Sequence, residues 1–400
     1  MLTMIFACGQ KTGESVNGLP ETKVEPQVSG QPVSAAERVG EYLSLLKGKR
    51  ITAVVNHTSM VGQTHLVDTL LRSGVDIVKI FAPEHGFRGS ASDGEKVKDG
   101  KDPATGLPIL SLYGDQKKPT PAMLAGVDLV LFDIQDVGAR FYTYISTLAY
   151  VMEACAENNV PLIVLDRPNP NGHYVDGPIL KKEFASFVGL HEVPVVYGMT
   201  IGEYARMVNG EGWLANGIKC QLEVIPCAGY DHRTHYDLPM KPSPNLPNMT
   251  AILLYPSLCF FEGTVVSVGR GTDKQFQVMG APGATVGNFT FTPQPKEGAK
   301  NPPQQGKLCR GYDLSGLSVD KLRQQKQLDL GYLIDFYWNY PDKANFFLKT
   351  AHFDALAGGP ELKQQIVEGR TEAEIRGGWQ EGLRRFKAVR KQYLLYYDFE

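Results

Sequence analysis

Apolar runs that stop abruptly at polar groups recur through the first half of the chain. Ile51 to Val55 runs into Asn56-His57-Thr58-Ser59, and Val75 to Phe81 runs into Pro83-Glu84-His85-Gly86. Val127 to Phe132 ends at Asp133-Ile134-Gln135-Asp136, and Pro161 to Leu165 ends at Asp166-Arg167-Pro168-Asn169-Pro170. Short, β-branched runs of this kind read as buried strands. Between them, His65 to Ser73 and Thr143 to Asn159 repeat apolar residues at helical spacing. The alternation predicts a Rossmann-like parallel sheet with crossover helices. Ligands of such sheets bind beyond the carboxyl ends of the strands, where helix N-termini also present unpaired N–H groups. The four polar clusters are therefore expected to line one cleft.

A helix is expected over Ala35 to Leu46, short strands over Leu107 to Tyr113 and Gln221 to Pro226, and a helix start at Thr120-Pro121. Arg88 to Leu112 is rich in Gly, Asp and Lys and long for a connection, the profile of a lid. Past Pro226 the pattern changes. Lys241 to Asn248 contains three prolines, which forbid a helix or a central strand and predict a rigid extended segment. Strand-like runs at Ala284 to Thr292 and Lys307 to Leu314 precede helices at Leu328 to Trp338, Glu361 to Gln365 and Thr371 to Tyr393. The expected organisation is a tail over 1–35, a Rossmann-like domain over 36–226 and a smaller mixed α/β domain over 227–400, with the cleft between the two domains.

Length agrees with that division, since 400 residues exceed what one core usually serves. A balance of 41 basic and 43 acidic residues, with no basic stripe, argues against a nucleic-acid partner. No apolar segment approaches the roughly 18 uncharged residues of a membrane span. At the start, Met1 to Ala7 precedes Cys8-Gly9 and resembles a lipoprotein signal ending in a lipobox, and Gly9 to Ala35 has the composition of a flexible tether. The expectation is an exported, periplasmic or membrane-anchored protein, lipidated at Cys8. The other five cysteines show no C-x-x-C spacing and read as buried thiols; Cys220 and Cys227 are the one pair placed to join.

No G-x-G-x-x-G follows any strand and no Walker loop is present, so no nucleotide cofactor is indicated. No zinc-ligand spacing occurs either, and no metal is assigned.

Pro83-Glu84-His85-Gly86, Asp133 to Tyr144, Asp166 to Pro170, Pro242 to Pro247, Glu262-Gly263-Thr264 and Gly269-Arg270-Gly271-Thr272, in this order, resemble the DUF1343 family, which includes the NamZ exo-β-N-acetylmuramidases. The resemblance runs from about residue 40 to the segment Arg390 to Tyr396. One departure is Val268, where many relatives carry Glu before Gly-Arg-Gly-Thr. The resemblance implies removal of terminal N-acetylmuramic acid from the non-reducing end of peptidoglycan fragments such as MurNAc-GlcNAc. It also implies a Rossmann-like domain joined to a smaller one with the site between them.

Glycoside hydrolysis usually divides proton donation and stabilisation of the oxocarbenium centre between two carboxyl groups. Glu84, at a strand end beside aromatic Phe81 and Phe87, is the first choice for the acid; its structural alternative is a turn cap or a pair with Arg88. His85 is expected to tune Glu84, orient water or bind a hydroxyl, or else to be structural. Asp133, Asp136 and Asp166 are candidates for the second carboxylate, with the substrate's own acetamido oxygen as an open alternative. Arg140 and Arg270 suit the lactyl carboxylate of muramic acid, although either could instead hold a buried aspartate. Tyr142 and Tyr144 could stack on the sugar or fill the core, and Asn245 suits the acetamido group. Asn56, Arg167, Asn169, Glu262 and Thr272 complete the expected sugar contacts. Two rival readings remain at this stage: a metal-dependent hydrolase of cell-wall sugars, and a lipoprotein that binds muropeptides without cutting them.

Overall fold

The computed structural model describes residues 30–87 and 99–400, so Cys8, most of the expected tether and the first part of the expected lid lie outside the described residues. The central sheet has seven strands. In spatial order they are Gly100–Lys101, Pro108–Ser111, Asp76–Ala82, Arg50–Val55, Leu129–Asp133, Leu162–Leu165 and Leu222–Ile225. Every neighbouring pair is parallel except the edge pair of Gly100–Lys101 with Pro108–Ser111. The six parallel strands thus lie in the doubly wound order, and the winding reverses between Arg50–Val55 and Leu129–Asp133. A crevice opens at such a reversal because the crossovers on its two sides lead away from each other.

Sequence pattern explains why these strands are central. Arg50–Val55 is buried at every position but the first, and Leu129–Asp133 and Leu162–Leu165 at all positions. Alternate residues feed two cores: Ile51, Ala53, Leu129 and Leu131 join the one under the helices Val39–Leu46 and Leu66–Arg72, while Val54, Val130 and Phe132 join the one under Tyr144–Glu157. A continuous apolar run is the signature of a strand covered on both faces.

The expected helix over Ala35 to Leu46 is broken. A 3-10 turn at Ala35–Glu37 precedes Val39–Leu46 because Arg38, at φ −92° and ψ 47°, leaves the helical region. Pattern reading also missed the helices Ile201–Gly210 and Met249–Leu258. The second contains Pro256, which cannot donate to the carbonyl four residues back. That carbonyl, on Ile252, accepts from Asn171 Nδ2 at 3.3 Å instead, so a partner from another part of the chain replaces the missing bond.

The smaller part carries a three-stranded antiparallel sheet, Val278–Ala281, Cys309–Asp313 and Phe289–Phe291, in that spatial order, with the helices Gly331–Asn339, Glu361–Val367 and Glu372–Arg390. The chain then returns to the first sheet. Arg390 Nε donates to Gly198 O at 2.8 Å, and Tyr396 OH donates to Asp166 at 2.6 Å. Cys155, Cys220, Cys227, Cys259 and Cys309 are buried free thiols.

Candidate active site

Pro83 stops the strand Asp76–Ala82, and the chain turns sharply through His85 (φ 67°) and Gly86 (φ 77°), closed by Gly86 N to Pro83 O at 3.0 Å. A left-handed histidine costs about 1 kcal/mol or more. Here it projects Glu84 and His85, both nearly buried, into a cavity of 640 Å3. Thr143 Oγ1 donates to Glu84 Oε2 at 2.7 Å. Thr143 precedes the helix Tyr144–Glu157, so the sheet supplies the carboxyl and a helix start supplies its partner.

The remaining wall comes from both halves of the chain. Tyr142 and Tyr144 pack edge to face at 4.9 Å, with Tyr255 beside Tyr142 at 5.9 Å and Phe276 beyond it. Their hydroxyls are committed: Tyr142 OH donates to Pro242 O at 2.9 Å, and Tyr144 OH accepts from Asn56 Nδ2 at 2.9 Å. Burial raises both phenol pKa values, and the Glu84 charge adds to the effect. The proline-rich segment adjoins them in the wall. Asn245 is fixed by Nδ2 to Gly298 O at 2.8 Å, while its buried Oδ1 has no partner within the protein. Gly298 allows this approach, since a Cβ there would stand 2.5 Å from Pro244 Cβ. Glu262 and Arg270 also line the cavity and pair with each other at 2.5 Å, and the guanidinium lies 5.1 Å over Phe276.

Not all four polar clusters reach this cavity. Asp133 is fully buried and takes both its oxygens to Arg167, at 2.6 and 2.9 Å. Asp166 accepts from Thr200 Oγ1, Gly202 N, Arg167 N and Tyr396 OH at 2.6 to 3.0 Å. Asp136 Oδ2 accepts from Gly138 N at 2.7 Å and from Tyr197 OH. Burial pushes the carboxyls of Asp136 and Asp166 up to about 6. Asn56 caps its own loop through Thr58, and Asn169 bridges Met199 and Asn171. Arg140 has no exposed surface and donates to the carbonyls of Pro178, Val193 and Leu356 at 2.7 to 2.8 Å. Thr272 closes a turn on Gly269 O at 2.7 Å. These eight residues stiffen the loops behind the wall and are not part of its lining.

Of the expected site, Glu84, His85, Tyr142, Tyr144, Asn245, Glu262 and Arg270 come together around one space. Sequence reasoning missed Thr143, whose signal was its position between two tyrosines already singled out. It also missed Phe187, Val188 and the 298–303 segment, for which no local pattern gave a signal. Among the described residues no three His, Cys, Asp or Glu side chains cluster in the manner of a metal shell, and no helix is long and apolar enough to cross a membrane.

Comparison with known proteins agrees with this arrangement. The profile "Exo-beta-N-acetylmuramidase NamZ, N-terminal" matches residues 51–250 and its C-terminal counterpart matches residues 253–396. The peptidoglycan β-N-acetylmuramidase NamZ of Bacillus subtilis (strain 168) is 40% identical over 387 residues, covering 89% of each chain. Two crystal structures of DUF1343 family proteins from Bacteroides fragilis NCTC 9343 share the fold. One is 49% identical with a TM-score of 0.85, covering 92% of this chain and 100% of that one. The other is 27% identical with a TM-score of 0.76, covering 92% and 99%. With both halves of the chain matched in order and the cavity built where they meet, the protein belongs to the NamZ family of exo-β-N-acetylmuramidases, the DUF1343 family.

Proposed function

We propose that the protein is an exo-acting glycosidase that releases terminal, non-reducing β-1,4-linked N-acetylmuramic acid from peptidoglycan fragments such as the disaccharide MurNAc-GlcNAc. β-N-Acetylmuramidase activity is supported by family membership and by the 40% identical B. subtilis relative. The observation that carries the chemical reading is Glu84: a nearly buried carboxyl at a strand end, lining the cavity and hydrogen-bonded by Thr143. Glu84 protonates the leaving oxygen as the glycosidic bond breaks.

The second group is either Glu262, already neutralised by Arg270, or the substrate's acetamido oxygen. Asn245 Oδ1, buried without a protein partner, is suited to accept the acetamido N–H. Arg270 takes the lactyl carboxylate, sharing its charge with Glu262. Arg140 is excluded from that role by its three carbonyl partners. We further propose export and tethering through a lipidated Cys8, on the lipobox-like sequence before it.

The test is release of free sugar from MurNAc-β-1,4-GlcNAc by the wild type and by Glu84→Gln, each with and without EDTA. Expected is cleavage unaffected by EDTA and a loss of at least about a hundredfold in the variant, the scale of general acid catalysis. Binding of the disaccharide by a folded wild type without turnover would favour the binding-protein reading. Loss of activity with EDTA would favour the metal-dependent one.

A further inference from the structure

Phe187 and Val188 stand at the two central positions of a tight hairpin, where Ser186 and Gly189 exchange backbone hydrogen bonds of 2.8 and 2.9 Å. Such tips usually carry Gly, Asn, Asp, Pro or Ser, for conformational reasons. Here they carry two apolar side chains, both half-buried and both in the cavity wall.

The tip is held firmly. The Phe187 ring lies parallel to Tyr150 at 6.3 Å and tilted to Tyr113 at 5.9 Å, and Lys117 Nζ stands 4.7 Å from its centroid. Beneath the hairpin runs the buried Arg140, so close that a Cβ on Gly189 would stand 3.3 Å from Arg140 Cδ. Its guanidinium binds carbonyls on both sides of the hairpin, at Pro178 and Val193, and ties them to the carbonyl of Leu356, another residue of the cavity wall. Phe187 thus presents a half-exposed aromatic ring, packed on its other sides, to the cavity.

An exo-acting enzyme decides which sugar that is. The terminal sugar must enter first and fill the buried end, against Tyr142, Tyr144 and Asn245. The rest of the saccharide then passes out through the mouth. Its first sugar therefore meets the half-exposed rim, which is apolar along Tyr113, Phe187 and Val188 and polar along Asn301 and His352. A pyranose matches both sides, with C–H groups on its faces and hydroxyls around its edge.

Building on the function proposed above, we propose that Phe187, with Val188 beside it, forms the binding subsite for the sugar on the leaving-group side of the scissile bond. The ligand class is a β-linked pyranose, such as the N-acetylglucosamine released by cleavage. Phe187 binds that sugar without touching the reacting atoms.

The test compares two substrates that differ only in the leaving group: MurNAc-β-1,4-GlcNAc and the methyl β-glycoside of MurNAc. In Phe187→Ala, the kcat/KM preference for the disaccharide over the methyl glycoside should fall about tenfold, as expected from losing a half-buried aromatic contact. Phe187→Trp should restore most of it. Equal losses on both substrates, or an unchanged preference, would overturn the proposal. Calorimetric binding in a Glu84→Gln background reads the same point without turnover: the affinity that the second sugar adds over MurNAc alone should be largely lost when Phe187→Ala is added, and when Phe187→Leu is added should that variant alone be folded. A Glu84→Gln protein that gains no affinity from the second sugar overturns the subsite, whereas one that gains it while the wild type cleaves neither glycoside overturns the proposed function alone.

Discussion

Replacing Asp136 by asparagine should remove a pH dependence of stability, and its size follows from the surroundings of one side chain. Asp136 is 3% exposed, and Gly138 N and Tyr197 OH converge on Oδ2 while Oδ1 has no hydrogen-bond partner. Burial outweighs the opposing hydrogen bonds, from Tyr197 and from the backbone of Gly138 and Val137, and lifts the carboxyl from 3.8 to about 6. Because the folded value lies above the unfolded one, the native state favours the protonated form. The stabilisation is complete below pH 3.8 and is lost as pH rises through about 6. Two units at about 1.4 kcal/mol each give roughly 3 kcal/mol in all, of which roughly 2.5 falls between pH 4 and 7.5. Asparagine keeps the shape and cannot ionise, and whatever its uncharged amide costs is the same at both pH values. Asp166, also at about 6, titrates in both proteins and cancels. Urea unfolding at pH 4, 5, 6 and 7.5 should therefore show the stability difference between variant and wild type moving in the variant's favour by about 2 to 3 kcal/mol as pH rises. A difference that stays flat within 0.5 kcal/mol, on the order of the usual error of such measurements, would refute the account of Asp136 as a carboxyl that resists ionisation.

Thr143→Val keeps shape but removes the donor to Glu84, and should lower kcat/KM about 10- to 100-fold with little change in melting temperature. A variant of full activity would show that the hydroxyl does not position the carboxyl. Arg167→Met leaves Asp133 charged and unpaired in the interior, and should cost about 3 to 5 kcal/mol of stability. Denaturant midpoints check this, and a loss under about 1 kcal/mol would mean that water or another cation reaches Asp133.

The strands were legible because a buried parallel strand leaves an uninterrupted apolar run. Asp76–Ala82 and Leu162–Leu165 fall within a residue of the runs that announced them. What the runs cannot encode is the destination of the polar group that ends each one. Glu84 and Asp133 look alike in sequence, each closing an apolar run. One meets a threonine in a cavity, and the other meets Arg167, 34 positions away, in the interior. Asp166 shows the same limit more strongly, since its Tyr396 partner is 230 positions distant. Phe187 escaped notice for a related reason: Ser-Phe-Val-Gly reads as a scrap of strand, and only the backbone pairing of Ser186 with Gly189 reveals a tip. Helix Met249–Leu258 was hidden by Pro256, whose cost is offset by Asn171 from another part of the chain.

The bond from Tyr396 to Asp166 also sets an order of events at the ribosome. A chain made from its N-terminus at roughly 5 to 20 residues per second has Asp166 in hand for roughly ten to fifty seconds before Tyr396 exists. In that interval the fourth strand end lacks one of its four donors, and Cys227 N, which also bonds to the Tyr396 hydroxyl, waits with it. The sheet can assemble early, but its crevice is locked late, by a tyrosine translated after both halves of the cavity wall.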